Sequence, residues 1–100
     1  MASFTVRIEL HGATGEDYNR LHAAMEAAGY KRYVAGTADD GTAGYWQLPT
    51  AEYDYSSSAS ASQVRDHAKS VADSVKAGSW CLVTQLAGDD GRAWSTQKIQ

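Results

Sequence analysis

Cysteine and proline are almost missing from this sequence, which contains one of each, Cys81 and Pro49. A single thiol cannot close an intrachain disulfide, so the chain is not one of the cross-linked scaffolds common among small secreted domains. Cys81 lies in an apolar run, where we expect a buried and unreactive thiol. Both points favour a reducing compartment, and we expect a cytoplasmic protein.

Long apolar runs are also missing. No stretch approaches the roughly eighteen consecutive apolar residues that indicate a membrane span. The chain opens on a strand pattern, without the apolar segment of a signal peptide. We therefore expect no membrane partner.

Positive charge is scarce as well. The nine Lys and Arg residues are outnumbered by twelve Asp and Glu residues, which gives a formal net charge of −3. This balance excludes a protein coated in positive charge for tight, non-specific nucleic-acid binding, and we expect no DNA partner. A local basic patch stays compatible with it.

Large apolar side chains are few for a chain of 100 residues, because seventeen of its hydrophobic residues are Ala. Aromatic residues must carry much of the core, since each buries roughly 150 to 250 Å². We expect one domain over residues 1–100. A domain this small buries a modest share of its surface, so we also expect a homodimer that covers an exposed sheet face.

Alternation of apolar and polar residues identifies a first strand from residue 3 to residue 11. One side of this strand carries Phe4, Val6, Ile8 and Leu10. The other side carries Thr5, Arg7, Glu9 and His11. A period of two is typical of a strand that is buried on one face.

Two helical stripes interrupt the strand patterns. The first helix begins after a capping box at Thr14 and ends at Gly29, and the second begins after a capping box at Ser60 and ends at Gly78. Apolar residues recur at helical spacing in both, at Tyr18, Leu21, Met25 and Ala28 and at Val64, Ala68, Val71 and Val75.

Three further strand patterns cover residues 30–35, 45–48 and 80–86. The Asp40-Gly41 step predicts a hairpin between the first two, because both residues tolerate positive φ. Pro49 has no amide proton, so it predicts a bulge, a bend or a sheet edge, beyond which the strand continues over 52–55. A short last strand is expected over 94–96.

The resulting order, β-α-β-β-α-β, predicts the α+β class and a ferredoxin-like sandwich. We expect a four-stranded antiparallel sheet, with the first and third strands at its centre and both helices on one face, followed by the short C-terminal strand. The opposite face of the sheet stays open in this arrangement.

Glu9 and His11 form the first candidate site. They lie on one side of the first strand, about 7 Å apart at a rise of roughly 3.4 Å per residue. A carboxylate beside an imidazole can act as general base and acid, or hold a metal ion together with another ligand. The alternative is a solvated strand face with ordinary charge alternation.

Glu52 and Asp54 also share one side of an extended segment. Paired carboxylates of this kind can bind a divalent cation. The interpretation that we favour is an edge or a dimer contact formed with the neighbouring tyrosines. His22 and His67 have no Cys or His at a recognised metal spacing, so we expect no cofactor; a divalent metal is compatible with the sequence but not indicated by it.

Four residues form a candidate surface for single-stranded RNA: Arg7, Lys31, Arg32 and Tyr33. Positive charge interleaved with aromatic rings binds RNA on sheet surfaces through phosphate contacts and base stacking. Lys31 and Arg32 are adjacent, so they must point to opposite faces. Tyrosine is also common in dimer interfaces, and sealing of a dimer is the alternative role for this surface.

Two sequence segments carry a resemblance to a known family. The segments FTVRIELH at 4–11 and LPTAEYDY at 48–55, with helices at 18–29 and 60–75, resemble the GhoS antitoxin family of small bacterial and phage proteins. The resemblance covers about residues 3 to 95, and it implies a ferredoxin-like homodimer related in fold to the small nuclease of CRISPR adaptation.

The same resemblance implies an endoribonuclease that disarms a membrane toxin by cutting its messenger RNA. Relatives with nuclease activity are expected to place an acidic residue at the end of the first strand. This chain has Leu10 and His11 there, and Glu9 is its nearest carboxylate.

Two hypotheses follow from the sequence. The first is an antitoxin-type protein that binds single-stranded RNA on the open face and cuts it with Glu9 and His11 in acid and base roles. The second is a non-catalytic module that pairs with itself, or with another protein, through the same face.

Overall fold

A computed structural model of the chain describes residues 1–38, 40–87, 93, 96, 98 and 99. The described elements follow the order β1 (Ala2–Glu9), α1 (Gly15–Ala27), β2 (Tyr33–Thr37), β3 (Ala43–Gln47), β4 (Glu52–Ser57), α2 (Ala61–Val75) and β5 (Trp80–Gln85). Two helices and antiparallel strands confirm the α+β class that the sequence predicts.

The described strands form two sheets, where the sequence predicts one sheet of four strands. In the larger sheet β1 lies at the centre, antiparallel to β4 on one side and to β5 on the other. The smaller sheet is the β2–β3 hairpin. The central place of β1 agrees with the prediction, and the division into two sheets is the correction.

The division occurs at the turn that contains Pro49. The amide of Glu52 donates to the carbonyl of Pro49 at 3.1 Å, and Ala51 adopts φ 61, the one non-glycine residue with positive φ in the part of the chain described. The amide of Ile8 donates to the Ala51 carbonyl at 3.0 Å, which fixes this turn to β1. The bend expected at Pro49 is therefore present, and it separates β3 from β4.

Contacts near Lys31 hold the hairpin beside β4. Lys31 and Asp54 exchange two backbone hydrogen bonds, of 2.9 and 2.7 Å, and the Leu48 amide donates to the Arg32 carbonyl at 2.8 Å. These bonds close the base of the hairpin. At its tip, the Thr42 amide donates to the Asp40 carboxylate at 2.9 Å, as the Asp-Gly turn predicts.

Both helices pack on one face of the larger sheet. The capping boxes at Thr14 and Ser60 are formed, each with a side chain that accepts from the backbone three residues later. The core contains the predicted strand and helix stripes, and its largest fully buried side chains are those of Tyr30, Tyr53, Phe4, Leu21, Met25 and Val6. Tyrosines supply the bulk that the many alanines cannot.

The C-terminal segment is described only in part. The turn at 89–91 and most of the short strand expected over 94–96 lie outside the described residues. Lys98 pairs with Trp46, and the Ile99 amide donates to the Tyr45 carbonyl at 2.9 Å, so these two residues lie beside β3. Within the described ranges, no helix has the length and apolar character needed to cross a membrane.

Candidate functional site

We use the term open face for the side of the larger sheet that is turned away from the helices. Phe4, Val6 and Ile8 point into the core, so the alternate residues of β1 point to the open face. The register places Arg7 between Glu52 on β4 and Leu82 on β5, and it places Glu9 opposite Trp80. The open face is thus built from three neighbouring strands.

The structure brings Glu9 and His11 into direct contact. His11 lies just beyond the end of β1, and its Nε2 is 3.4 Å from Oε2 of Glu9. The other ring nitrogen, Nδ1, is 3.0 Å from the carbonyl oxygen of Gly78. A carbonyl only accepts, so Nδ1 carries the proton in this contact, and Nε2 is the nitrogen that faces Glu9.

The turn that follows α2 positions His11. Gly78 has φ 84, a conformation that is costly for residues with a Cβ, and it presents its carbonyl to the imidazole. Immediately afterwards Ser79 is fixed by Asp73, which accepts from the Ser79 amide at 3.0 Å and from its hydroxyl at 2.7 Å. These two hydrogen bonds and that of Lys69 hold the pKa of Asp73 at about 2.

Trp80 is the residue that the sequence analysis missed. Its indole is 67% exposed, and the edge-to-face contact with the His11 ring has a centroid separation of 4.5 Å. Leu82, two residues on, is 62% exposed on the same face. The alternation of β5 carried the signal, because a strand with Cys81 and Val83 inward must turn Trp80 outward.

A shallow pocket of about 360 Å³ lies on the open face beside the Glu9–His11 pair. It is lined by Arg7, Glu9, Trp80, Cys81 and Leu82. Cys81 is half-buried, and burial raises the pKa of its thiol to about 11. The pocket therefore offers one cation, one carboxylate and one large aromatic surface to a ligand.

Lys31 and Tyr33 form a second cluster, beside β4. Lys31 pairs with Asp54, which pairs with Thr5 of β1, so all three belong to the open face. The Lys31 ammonium lies 5.9 Å from the centre of the Tyr33 ring, and Tyr33 meets Tyr45 edge to face at 5.4 Å. Both tyrosines are partly exposed to solvent.

Arg32 does not join this cluster. Burial first, and the positive charge of Arg32 after it, lower the pKa of His22, a buried residue of α1 in contact with the Tyr53 hydroxyl. Lys31 is paired with Asp54 on the open face, and adjacent residues of an extended segment point to opposite sides, so Arg32 is directed away from the open face. Of the four residues predicted to contact RNA, the structure places Arg7, Lys31 and Tyr33 on one side and Arg32 on the other.

Charges on the open face have both signs. Among the described residues that the strand register places on this face, two are basic, Arg7 and Lys31. Three are acidic: Glu9, Glu52 and Asp54. Among the described residues, no group of three His, Cys, Asp or Glu side chains is arranged to hold a metal ion. The face is mixed in charge, so a ligand must be recognised by specific contacts.

His22 and His67 are tied to tyrosines in the core. Nδ1 of His22 is 2.8 Å from the hydroxyl of Tyr53, and Nδ1 of His67 is 2.7 Å from the hydroxyl of Tyr30. In each pair the histidine gives a buried tyrosine hydroxyl a hydrogen-bond partner, and the contact ties a helix to the core. Packing accounts for both histidines, which leaves His11 as the one histidine on the open face.

The open face can therefore stack a planar group on Trp80, contact an anion through Arg7, and exchange a proton at the Glu9–His11 pair. Sequence reasoning found the charged members of this group and missed its aromatic member. Comparisons with family models, with curated proteins and with solved structures gave no match to this chain.

Proposed function

We propose that this protein binds single-stranded RNA on the open face and cuts it with the Glu9–His11 pair, as an antitoxin-type endoribonuclease. The observation that carries the proposal is the 3.4 Å contact between Glu9 and His11, beside an indole that is 67% exposed. Groups that transfer protons, placed next to a stacking surface, are suited to cleavage of an unpaired strand.

The two clusters define a path for the strand. Lys31 and Tyr33 lie beyond β4, whereas Trp80 and Leu82 lie on β5, with Arg7 on β1 between them. Strands are spaced by roughly 4.8 Å, and the register offsets Lys31 from Trp80 by four residues at roughly 3.4 Å each, so the two clusters are about 20 Å apart. Bases stack at the two ends of this path, and Arg7 contacts a phosphate between them.

A ferredoxin-like ancestry is part of the proposal. The Lys31–Asp54 bonds place the start of the hairpin beside β4, so that neighbours follow the order hairpin, β4, β1 and β5. This is the neighbour order of a ferredoxin-like sheet whose outer strand has separated at the Pro49 turn. The antitoxin assignment itself rests on the resemblance of the segments at 4–11 and 48–55.

Cleavage assays on a mixed pool of messenger RNA test the proposal. We expect Glu9→Gln and His11→Ala to slow cleavage at least about 100-fold while RNA binding persists. Glu52→Gln is the matched control, since it removes a carboxylate from the same face without touching the pair. Cleavage at the normal rate in both site variants would remove the proposed site.

A second candidate function is a non-catalytic homodimer module. Exposed Trp80 and Leu82 lie side by side on a face that carries both charge signs, and such a face can pair with a copy of itself. Sedimentation analysis distinguishes the two functions. A dimer that Leu82→Glu dissociates, together with an absence of RNA binding, favours the module, and a monomer at high concentration excludes it.

A further inference from the structure

We infer that the Glu9–His11 pair cuts RNA through the substrate's own 2′-hydroxyl and leaves a 2′,3′-cyclic phosphate and a 5′-hydroxyl. The inference rests on the proposed function and adds the class of reaction. It follows from the way in which the structure holds the His11 ring, which is hydrogen-bonded to a carbonyl at Nδ1 and turns Nε2 toward the Glu9 carboxylate.

The Gly78 carbonyl selects the state of the imidazole. It accepts a hydrogen bond from Nδ1 at 3.0 Å, so the neutral ring has its lone pair on Nε2. Nε2 is directed to the open face, 3.4 Å from the Glu9 carboxylate. A carboxylate at that nitrogen stabilises the imidazolium that forms when Nε2 accepts a proton. Nε2 of His11 is therefore the basic atom of the site.

Trp80 determines which part of a nucleotide reaches this atom. The His11 ring lies edge to face against the indole, with 4.5 Å between the centroids, and most of the indole stays exposed. A base stacked on the exposed indole has its ribose at the rim of the ring system. The His11 ring is in direct contact with the indole, so the 2′-hydroxyl of that ribose comes near the imidazole.

The chemical step balances within the substrate, His11 and solvent. Nε2 takes the proton of the 2′-hydroxyl, O2′ forms a bond to phosphorus, and the bond between phosphorus and O5′ breaks. The departing O5′ takes a proton from water, which reaches the pair because both side chains are about half exposed. His11 then returns its proton to solvent. Arg7 lines the same pocket, and its positive charge stabilises the negative charge that develops on the phosphate.

Proximity explains why one base suffices. The 2′-hydroxyl is already attached next to the phosphate, and such internal nucleophiles reach effective molarities of about 10⁵ M or more. An attacking water would need a further group to hold and orient it. The pair on the open face supplies one base with one stabilising carboxylate, which matches the internal reaction.

End-group analysis of the products from the full chain tests the inference. A labelled single-stranded RNA is incubated with the protein, once with magnesium and once with a chelator, and the ends are identified by mass spectrometry. We expect 2′,3′-cyclic phosphate and 5′-hydroxyl ends in both buffers. Products with 5′-phosphate and 3′-hydroxyl ends would overturn the inference and leave the proposed nuclease function intact.

Two substrates and one variant separate the other outcomes. A single 2′-deoxy nucleotide at the mapped cleavage position should reduce cleavage there at least about 100-fold with unchanged binding, and His11→Ala should have the same effect on normal RNA. Cleavage that tolerates the deoxy nucleotide contradicts the inference. If the protein binds RNA but never cuts it, the inferred reaction is wrong, although the RNA-binding part of the proposed function survives. If the protein does not bind RNA, the proposed function itself is wrong.

Discussion

Replacement of Trp80 by Ala separates a binding role from a folding role. The indole is 67% exposed and packs against the His11 ring, so its removal should change the free energy of unfolding by no more than about 0.5 kcal/mol. Base stacking on an aromatic side chain contributes about 1 to 3 kcal/mol. We therefore expect RNA affinity to fall by about 5-fold to 150-fold with little loss of stability.

Two measurements on the same variants check this prediction. Fluorescence anisotropy with a labelled single-stranded RNA gives the affinity, and urea denaturation gives the free energy of unfolding. Trp80→Phe should keep most of the affinity, because it keeps an aromatic face. Leu82→Ala, which removes a similarly exposed apolar side chain, should lose less than Trp80→Ala. Equal RNA affinity in Trp80→Ala and the unmodified protein would refute the stacking argument.

Three further predictions concern strain, charge and protonation. Ala51→Val should destabilise the fold by about 2 to 4 kcal/mol in urea denaturation, because Ala51 is 5% exposed and has φ 61, whereas Ala51→Gly should stay within about 1 kcal/mol. The logarithm of RNA affinity should fall with the logarithm of salt concentration with a slope of about −1.4, since Arg7 and Lys31 contact two phosphates; a slope near zero refutes these contacts. The lowered pKa of His22 means that the unfolded chain takes up its proton first, so stability should be full above about pH 6.5 and decline below it. Denaturation at pH 7.5 and 5.5 checks this, and an equal decline in His22→Gln contradicts it.

Periodicity predicted the parts of the fold that depend on local pattern. The alternation of β1, the boxes at Thr14 and Ser60 and the Asp40-Gly41 turn are all present as expected. Each is encoded by neighbouring residues and needs no distant contact. The second sheet was not predicted, because alanine at position 51 gives no sign of positive φ. That conformation is fixed by the hydrogen bond to Ile8, forty-three residues earlier.

The candidate site shows the same limit. Alternation placed Glu9 and His11 on one side of the strand, yet their contact depends on the Gly78 carbonyl, which is distant in sequence. Alternation also predicted that Lys31 and Arg32 point to opposite sides of the sheet, but it could not show which of the two lies on the open face. Cross-strand register settled the question through the pairing of Lys31 with Asp54. The sequence pattern of β5 contained the evidence for Trp80, since alternation alone directs it away from the core.

The central claim is that the open face binds single-stranded RNA, and a nuclear magnetic resonance titration tests it most directly. A short single-stranded RNA is added to labelled protein while backbone amide and indole signals are followed. We predict that the largest shifts occur at Arg7, Glu9, His11 and Trp80, with the buried helix residues Leu21 and Val64 unchanged. Shifts confined to the helix side of the sheet, or no shifts at saturating RNA, would contradict the account.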